Sequence, residues 1–292
     1  MALRTALGNA LHRTPEGLRR MLPSGLRDEV RRRVGPFAPW EAGFTHSPSP
    51  PAPGEVVGPP DFVGIGVQKA GTTWWFTLIV SHPDIFQPAT VHKERHYFAP
   101  YATHGFGAEQ VRGYHQSFRR PEGLLTGEWT PDYIYQPWVP ELLERAAPEA
   151  RLVVMVRDPV DRLVSGLAHT PIAPGSHLGM VAAEAVHRGL YAAALQRWAG
   201  PLQAGRILVL QYEQCVRDPV GQLGRTFRFL GIDDQFHPRH IDRVSSSTRT
   251  EKVTLDQDAR KRLVALYEPD VDALVGLVPD LDLTLWPNFT GH

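Results

Sequence analysis

Three uninterrupted apolar runs stand out along the chain: Phe62–Val67, Leu152–Val156 and Ile207–Leu210. Continuous rather than alternating hydrophobicity at this length predicts strands buried on both faces, as in a parallel sheet covered by helices. Each run is followed by a helical pattern. Thr72–Val80 is apolar on nearly every side and predicts a buried helix. In "RDPVDRLVSGLAH", Asp158 is placed to cap and Pro159 to take the first helical position, with Val160, Leu163, Val164 and Leu167 as the core face. "RDPVGQLGRTFRFLG" repeats the Asp-Pro start, with Val220, Leu223, Phe227 and Leu230 predicted inward and Gly231 as the stop. This alternation predicts an α/β fold, an open parallel sheet flanked by helices in a single catalytic domain. Ligands of such sheets bind beyond the carboxyl ends of the strands, where Lys69, Arg157 and Tyr212 fall.

Composition changes this picture mainly at the N-terminal end. Residues 1–34 carry Arg13, Arg19, Arg20, Arg27, Arg31, Arg32 and Arg33 among Leu and Val at loosely helical spacing. They predict either a helix packed on its own domain or a basic amphipathic helix that could touch a membrane surface or a partner. The following text is proline-rich ("SPSPPAPGEVVGPP") and reads as an extended connector. The expected division is a basic extension and linker over 1–55 and a catalytic domain over 56–292. Lys+Arg and Asp+Glu balance at 31 each, so no global field steers the protein to nucleic acid, and any anion site must be built locally. Cys215 is the only cysteine, which excludes an internal disulfide and a cysteine-based zinc site. No run approaches the roughly eighteen apolar residues of a membrane span, and the first residues lack a signal-peptide core; a cytoplasmic setting is the expectation.

The first strand leads into "QKAGTTWW", a glycine turn followed by a helix start, which is the layout of a phosphate-binding loop. Gly66 and Gly71 have the spacing of the nucleoside-triphosphate loop, yet Thr72 stands where that loop has its lysine, and Lys69 precedes the second glycine. At the exit of the second strand, Arg157 and Ser165 could clamp a second anion: on a helical wheel Ser165 points away from the apolar face. Arg157 could equally pair with Asp158 or Asp161.

Taken together, "QKAGTTWW" and, about ninety residues on, "VRDPVDRLVSG" closely resemble the sulfotransferases that use 3′-phosphoadenosine-5′-phosphosulfate (PAPS). "KERHYF" looks like that family's K-E-x-H-F-F segment and "GEWTPDYIY" like its E-K-T-P-x-Y segment, so the likeness runs from about Asp61 to Trp286. It leans toward the branch that contains heparan-sulfate and related bacterial enzymes. The resemblance implies a P-loop NTPase-like fold and transfer of a sulfuryl group from PAPS to an acceptor, a hydroxyl of a small molecule, glycan or glycolipid. It implies that Lys69, Ala70, Gly71, Thr72, Thr73 and Trp74 hold the 5′-phosphosulfate and that Arg157 and Ser165 hold the 3′-phosphate. No metal is implied, because a sulfuryl group carries less charge than a terminal phosphoryl group. Glu94 and His96 are both candidates for the base, with Glu94 favoured by the segment it matches.

Two positions depart from the family's pattern. Trp129 replaces the lysine after Glu128, which with zero net charge argues against a strongly anionic polysaccharide as acceptor. "SSSTRTEK" stands where the family has a cysteine-flanked basic loop, leaving Arg249 as a candidate for extra 3′-phosphate contact. Trp129, Tyr133, Tyr135 and Trp138 are either walls of an aromatic acceptor pocket or core. Two other readings remain: a P-loop kinase or NTPase, and a relative that binds the nucleotide without turning over an acceptor.

Overall fold

The computed structural model describes residues 51–88, 92–169, 178–239, 241 and 254–290. The basic residues within 1–34 and Arg249 lie outside the described residues. The strands are β1 (Glu55–Val56), β2 (Phe62–Gly66), β3 (Arg120–Pro121), β4 (Gly127–Trp129), β5 (Arg151–Val156) and β6 (Ile207–Gln211). The helices are α1 (Thr72–Ile79), α2 (Ala108–His115), α3 (Val139–Ala146), α4 (Pro159–His169) and α5 (Leu178–His187), followed by α6 (Tyr191–Leu195), α7 (Ala199–Gln203), α8 (Tyr212–Arg217), α9 (Pro219–Leu230) and α10 (Gln257–Leu277).

The main sheet has the order β4-β2-β5-β6, and every neighbouring pair is parallel. A separate antiparallel pair joins β1 to β3. Every residue of β2 and β6 is buried, as is all of β5 after Arg151, which is why the sequence shows apolar runs rather than alternation. From β2 the chain goes to β4 on one side, then crosses back to β5 and β6 on the other. The strand order therefore reverses between β2 and β5, which opens a crevice at their carboxyl ends.

Strand β4 was not expected. Its three residues, Gly127-Glu128-Trp129, contain a charge and show no periodicity, yet all are buried. Trp129 lies flat against β2: a Cβ on Gly64 would stand 2.1 Å from the indole, so only glycine leaves room for it. Trp129 Nε1 donates to the Gly66 carbonyl at 3.1 Å. Gly64→Ala should therefore lower stability by about 1–3 kcal/mol, the usual cost of overpacking. A thermal melt unchanged from wild type would show that the indole can move aside.

Helix α4 begins as expected. Asp158 Oδ1 accepts from Val160 N at 2.9 Å and Asp161 N at 3.2 Å, ahead of Pro159. Val160 and Leu163 are buried, but Val164 and Leu167 are only half-buried, and the buried Arg162 shares the inward face. Its Nη2 donates to Ala185 O, while Tyr267 Oη donates to Val186 O at 3.0 Å. A cation and a hydroxyl thus meet the carbonyl end of α5, where partial negative charge collects. In α9, Leu223, Phe227 and Leu230 are buried as expected, whereas Val220 is 43% exposed. Periodicity gives the angle of a side chain around the axis, not how far the neighbouring element extends along it. Gly231 ends α9 in the left-handed region at φ 72°. No helix among the described residues is long and apolar enough to cross a membrane.

Candidate active site

The loop after β2 turns through two left-handed residues, Lys69 at φ 69° and Gly71 at φ 89°. Gly71 is also the N-cap of α1 and makes no side-chain cap, so the first N–H groups of this eight-residue helix are left for an anion. A Cβ on Gly71 would come within 2.7 Å of the Tyr212 ring, a second reason for glycine there. Thr72 is buried beside it, and Thr73 is exposed. Trp74 is buried edge-on to Tyr212 at 6.3 Å, and its Nε1 has no hydrogen-bond partner among the described residues.

Tyr212, at the end of β6, joins this loop to the second motif. The Arg157 guanidinium lies 4.9 Å from the centre of its ring, and Arg157 Nη1 reaches the Lys69 carbonyl at 3.4 Å. The acidic neighbours are engaged elsewhere. Asp158 caps α4 and accepts from Asn288 Nδ2 at 2.8 Å, and Asp161 lies 3.8 Å from Arg260. Arg157 therefore faces the phosphate loop across the crevice between β2 and β5. Ser165, half-buried, follows two turns into α4.

"KERHYF" closes on the same loop. Lys93 Nζ donates to Thr72 Oγ1 at 3.2 Å and lies 3.0 Å from Glu94 Oε1. On the other side, His96 Nε2 is 3.2 Å from Glu94 Oε2. Glu94 thus sits between an ammonium and an imidazole. The hydrogen bond with His96, and after it the charge and contact of Lys93, outweigh partial burial and hold its carboxyl down at about 2. The same contact raises His96 above its ordinary range. Glu94 and His96 meet although the chain is not an extended strand here: His96 stands in the left-handed region at φ 49°.

Lys93 was not among the expected site residues, although its position directly before Glu94 could have signalled it. Arg188 was missed too: it pairs with Asp132 and with Glu184 at 2.8 Å and donates to Gln68 Oε1 at 3.2 Å, next to Lys69. Nothing in the local sequence announces that contact. The four aromatics resolve toward structure. Trp129 and Tyr133 are buried, Tyr135 Oη donates to Arg188 O at 2.6 Å, and Trp138 Nε1 donates to Phe98 O at 3.0 Å.

Arg157 meets the Lys69 backbone at the uncapped start of α1, and Lys93 meets Thr72 there. Among the described residues, no group of three or more His, Cys, Asp or Glu side chains is placed to hold a metal ion.

A sequence profile of the sulfotransferase domain matches residues 59–262. Heparan sulfate glucosamine 3-O-sulfotransferase 6 of Mus musculus is 31% identical over 195 residues, covering 62% of this chain and 55% of that protein. The membrane-associated sulfotransferase kil1 of Dictyostelium discoideum is 33% identical over 119 residues, 39% of this chain and 24% of that protein. The chain spans about half the length of the heparan sulfate relatives it matches. The crystal structure of a sulfotransferase from Alicyclobacillus acidocaldarius shares the fold at TM-score 0.57 and 23% identity, over 79% of this chain and 99% of that one. The sheet order, the loop at its switch point and the profile match together assign this chain to the sulfotransferase family.

Proposed function

We propose that the protein transfers a sulfuryl group from PAPS to a hydroxyl of a small molecule, glycan or glycolipid acceptor, in a cytoplasmic setting. The observation that carries this reading is the approach of Arg157 Nη1 to the Lys69 carbonyl, which brings the two anion motifs to one crevice. When bound, the nucleotide supplies an activated sulfuryl group on a phosphate leaving group. The N–H groups of Gly71, Thr72 and Thr73 hold its 5′-phosphate at the start of α1. Lys69 donates where charge builds on the leaving oxygen. Arg157 and Ser165 hold the 3′-phosphate, and Arg249 is a further candidate for that contact. Glu94 takes the acceptor proton, with His96 as its partner.

PAPS should bind about tenfold to a hundredfold more tightly than adenosine-5′-phosphosulfate, which lacks the 3′-phosphate. One charge-assisted contact is worth about 1.5–3 kcal/mol, and without the 3′-phosphate that contact to Arg157 and Ser165 is not made. Calorimetry with the two nucleotides measures this directly. Equal affinities would remove the basis for assigning PAPS.

A further inference from the structure

Three polar side chains of the "GEWTPDYIY" segment have no part in the catalytic reading, namely Glu128, Thr130 and Tyr133. All are buried. Together they meet three consecutive backbone N–H groups of "KERHYF". Thr130 Oγ1 accepts from Arg95 N at 2.9 Å and from His96 N at 3.3 Å. Tyr133 Oη accepts from Tyr97 N at 2.9 Å. Both hydroxyls then donate onward to one carboxylate, Thr130 to Glu128 Oε2 at 2.6 Å and Tyr133 to Glu128 Oε1 at 3.3 Å. Glu128 Oε2 also takes Arg95 N directly at 3.2 Å, and Tyr114 Oη donates to Oε1 at 2.7 Å.

The direction of these bonds is the informative feature. A hydroxyl has one proton to give; by giving it to Glu128, each turns its lone pairs to the backbone of "KERHYF". The three consecutive N–H groups are thus received by two hydroxyls and one carboxylate oxygen, and His96 at φ 49° supplies a left-handed turn between them. Trp129 N donates to Lys93 O at 2.9 Å, so the backbone on the other side of Glu94 is also tied to β4. Glu94 lies between the two anchors. A buried charge is costly to maintain, and one with donors from four residues is built for a geometric purpose.

We propose that Glu128, Thr130 and Tyr133 form a buried clamp on the Arg95–Tyr97 backbone that sets Glu94 against His96. They are positioning residues for the transfer step, and this rests on the reading of Glu94 and His96 as its acid–base pair. The clamp accounts for a glutamate, a threonine and a tyrosine at this spacing in one segment: each is a ligand of the "KERHYF" backbone.

The test follows His96 by NMR as a function of pH, in full-length protein saturated with the product nucleotide 3′-phosphoadenosine-5′-phosphate. The His96→Asn variant identifies its signal. Glu94 is the principal charged group facing His96, with Asp132 and Glu128 behind it, and Lys93 faces Glu94. In Thr130→Val the His96 midpoint should fall to that of the Glu94→Gln variant, because the contact is lost. Thr130→Ser, which keeps the hydroxyl, should restore the wild-type midpoint. Nucleotide affinity by calorimetry should stay within about twofold in Thr130→Val and Thr130→Ser, since the Thr130 hydroxyl bonds only Arg95 N, His96 N and Glu128 and no atom of the phosphate loop. A wild-type His96 midpoint in Thr130→Val, even with a lower melting temperature, would reduce the cluster to core packing and overturn the clamp. The base reading fails separately, through unimpaired turnover in Glu94→Gln, and this titration would still decide the clamp.

Discussion

Replacing Glu94 with glutamine is expected to lower turnover by about 10²–10⁴, the usual worth of a positioned base, while leaving PAPS affinity unchanged. Glutamine keeps the shape of the side chain and a hydrogen bond to His96 but cannot accept the acceptor's proton. In the free protein Glu94 is a weak base, held down at about 2 by His96 and Lys93. An incoming hydroxyl that displaces one of these contacts removes part of that stabilisation and raises the basicity of the carboxylate where it is needed. His96→Asn should be milder, because it removes a partner rather than the proton acceptor. The pH profile separates the two roles. The base works deprotonated, so with Glu94 in that role kcat/KM persists below the ordinary carboxylate range as pH falls. With His96 as base, kcat/KM is lost as pH drops through a midpoint raised above that of free histidine. Both variants should be measured at saturating PAPS. A near-wild-type glutamine variant beside a dead His96→Asn would exchange the assignments.

Lys69→Ala should cost about 10²–10³ in turnover, the typical effect of removing one donor from the place where charge develops. The fold should survive. The side chain is only half-buried, and the Lys69 carbonyl that Arg157 contacts belongs to the backbone. Binding of the product nucleotide should weaken far less than turnover, since the N–H groups at the start of α1 remain. Wild-type activity should also persist in EDTA, because the transferred group carries less charge than a phosphoryl group. Full activity of Lys69→Ala, or activity abolished by the chelator, would point instead to a metal-dependent, kinase-like transfer.

What the sequence determined by itself was whatever depends on neighbours a few residues away. Gly71 and Gly231 are in the left-handed region and Asp158 caps α4, because caps and tight turns are settled within a single turn of backbone. Strands β2, β5 and β6 were legible because burial on both faces leaves an apolar run that needs no knowledge of the partner strand. The proposal of Glu94 as base came only through resemblance, since no periodicity marks a base. Tertiary structure alone decided the rest. The sheet order brings Arg157 to Lys69, 88 residues earlier, so that the two motifs meet. Trp129 belongs to the core because Gly64, on a different strand, leaves the space its indole fills. Glu128 is buried although its side chain is charged, because Tyr114 Oη and Arg95 N from distant segments donate to it, and Arg162 is buried with Ala185 O accepting from its guanidinium. A local pattern records the cost of burying such a group, and only the assembled fold holds the partners that offset it.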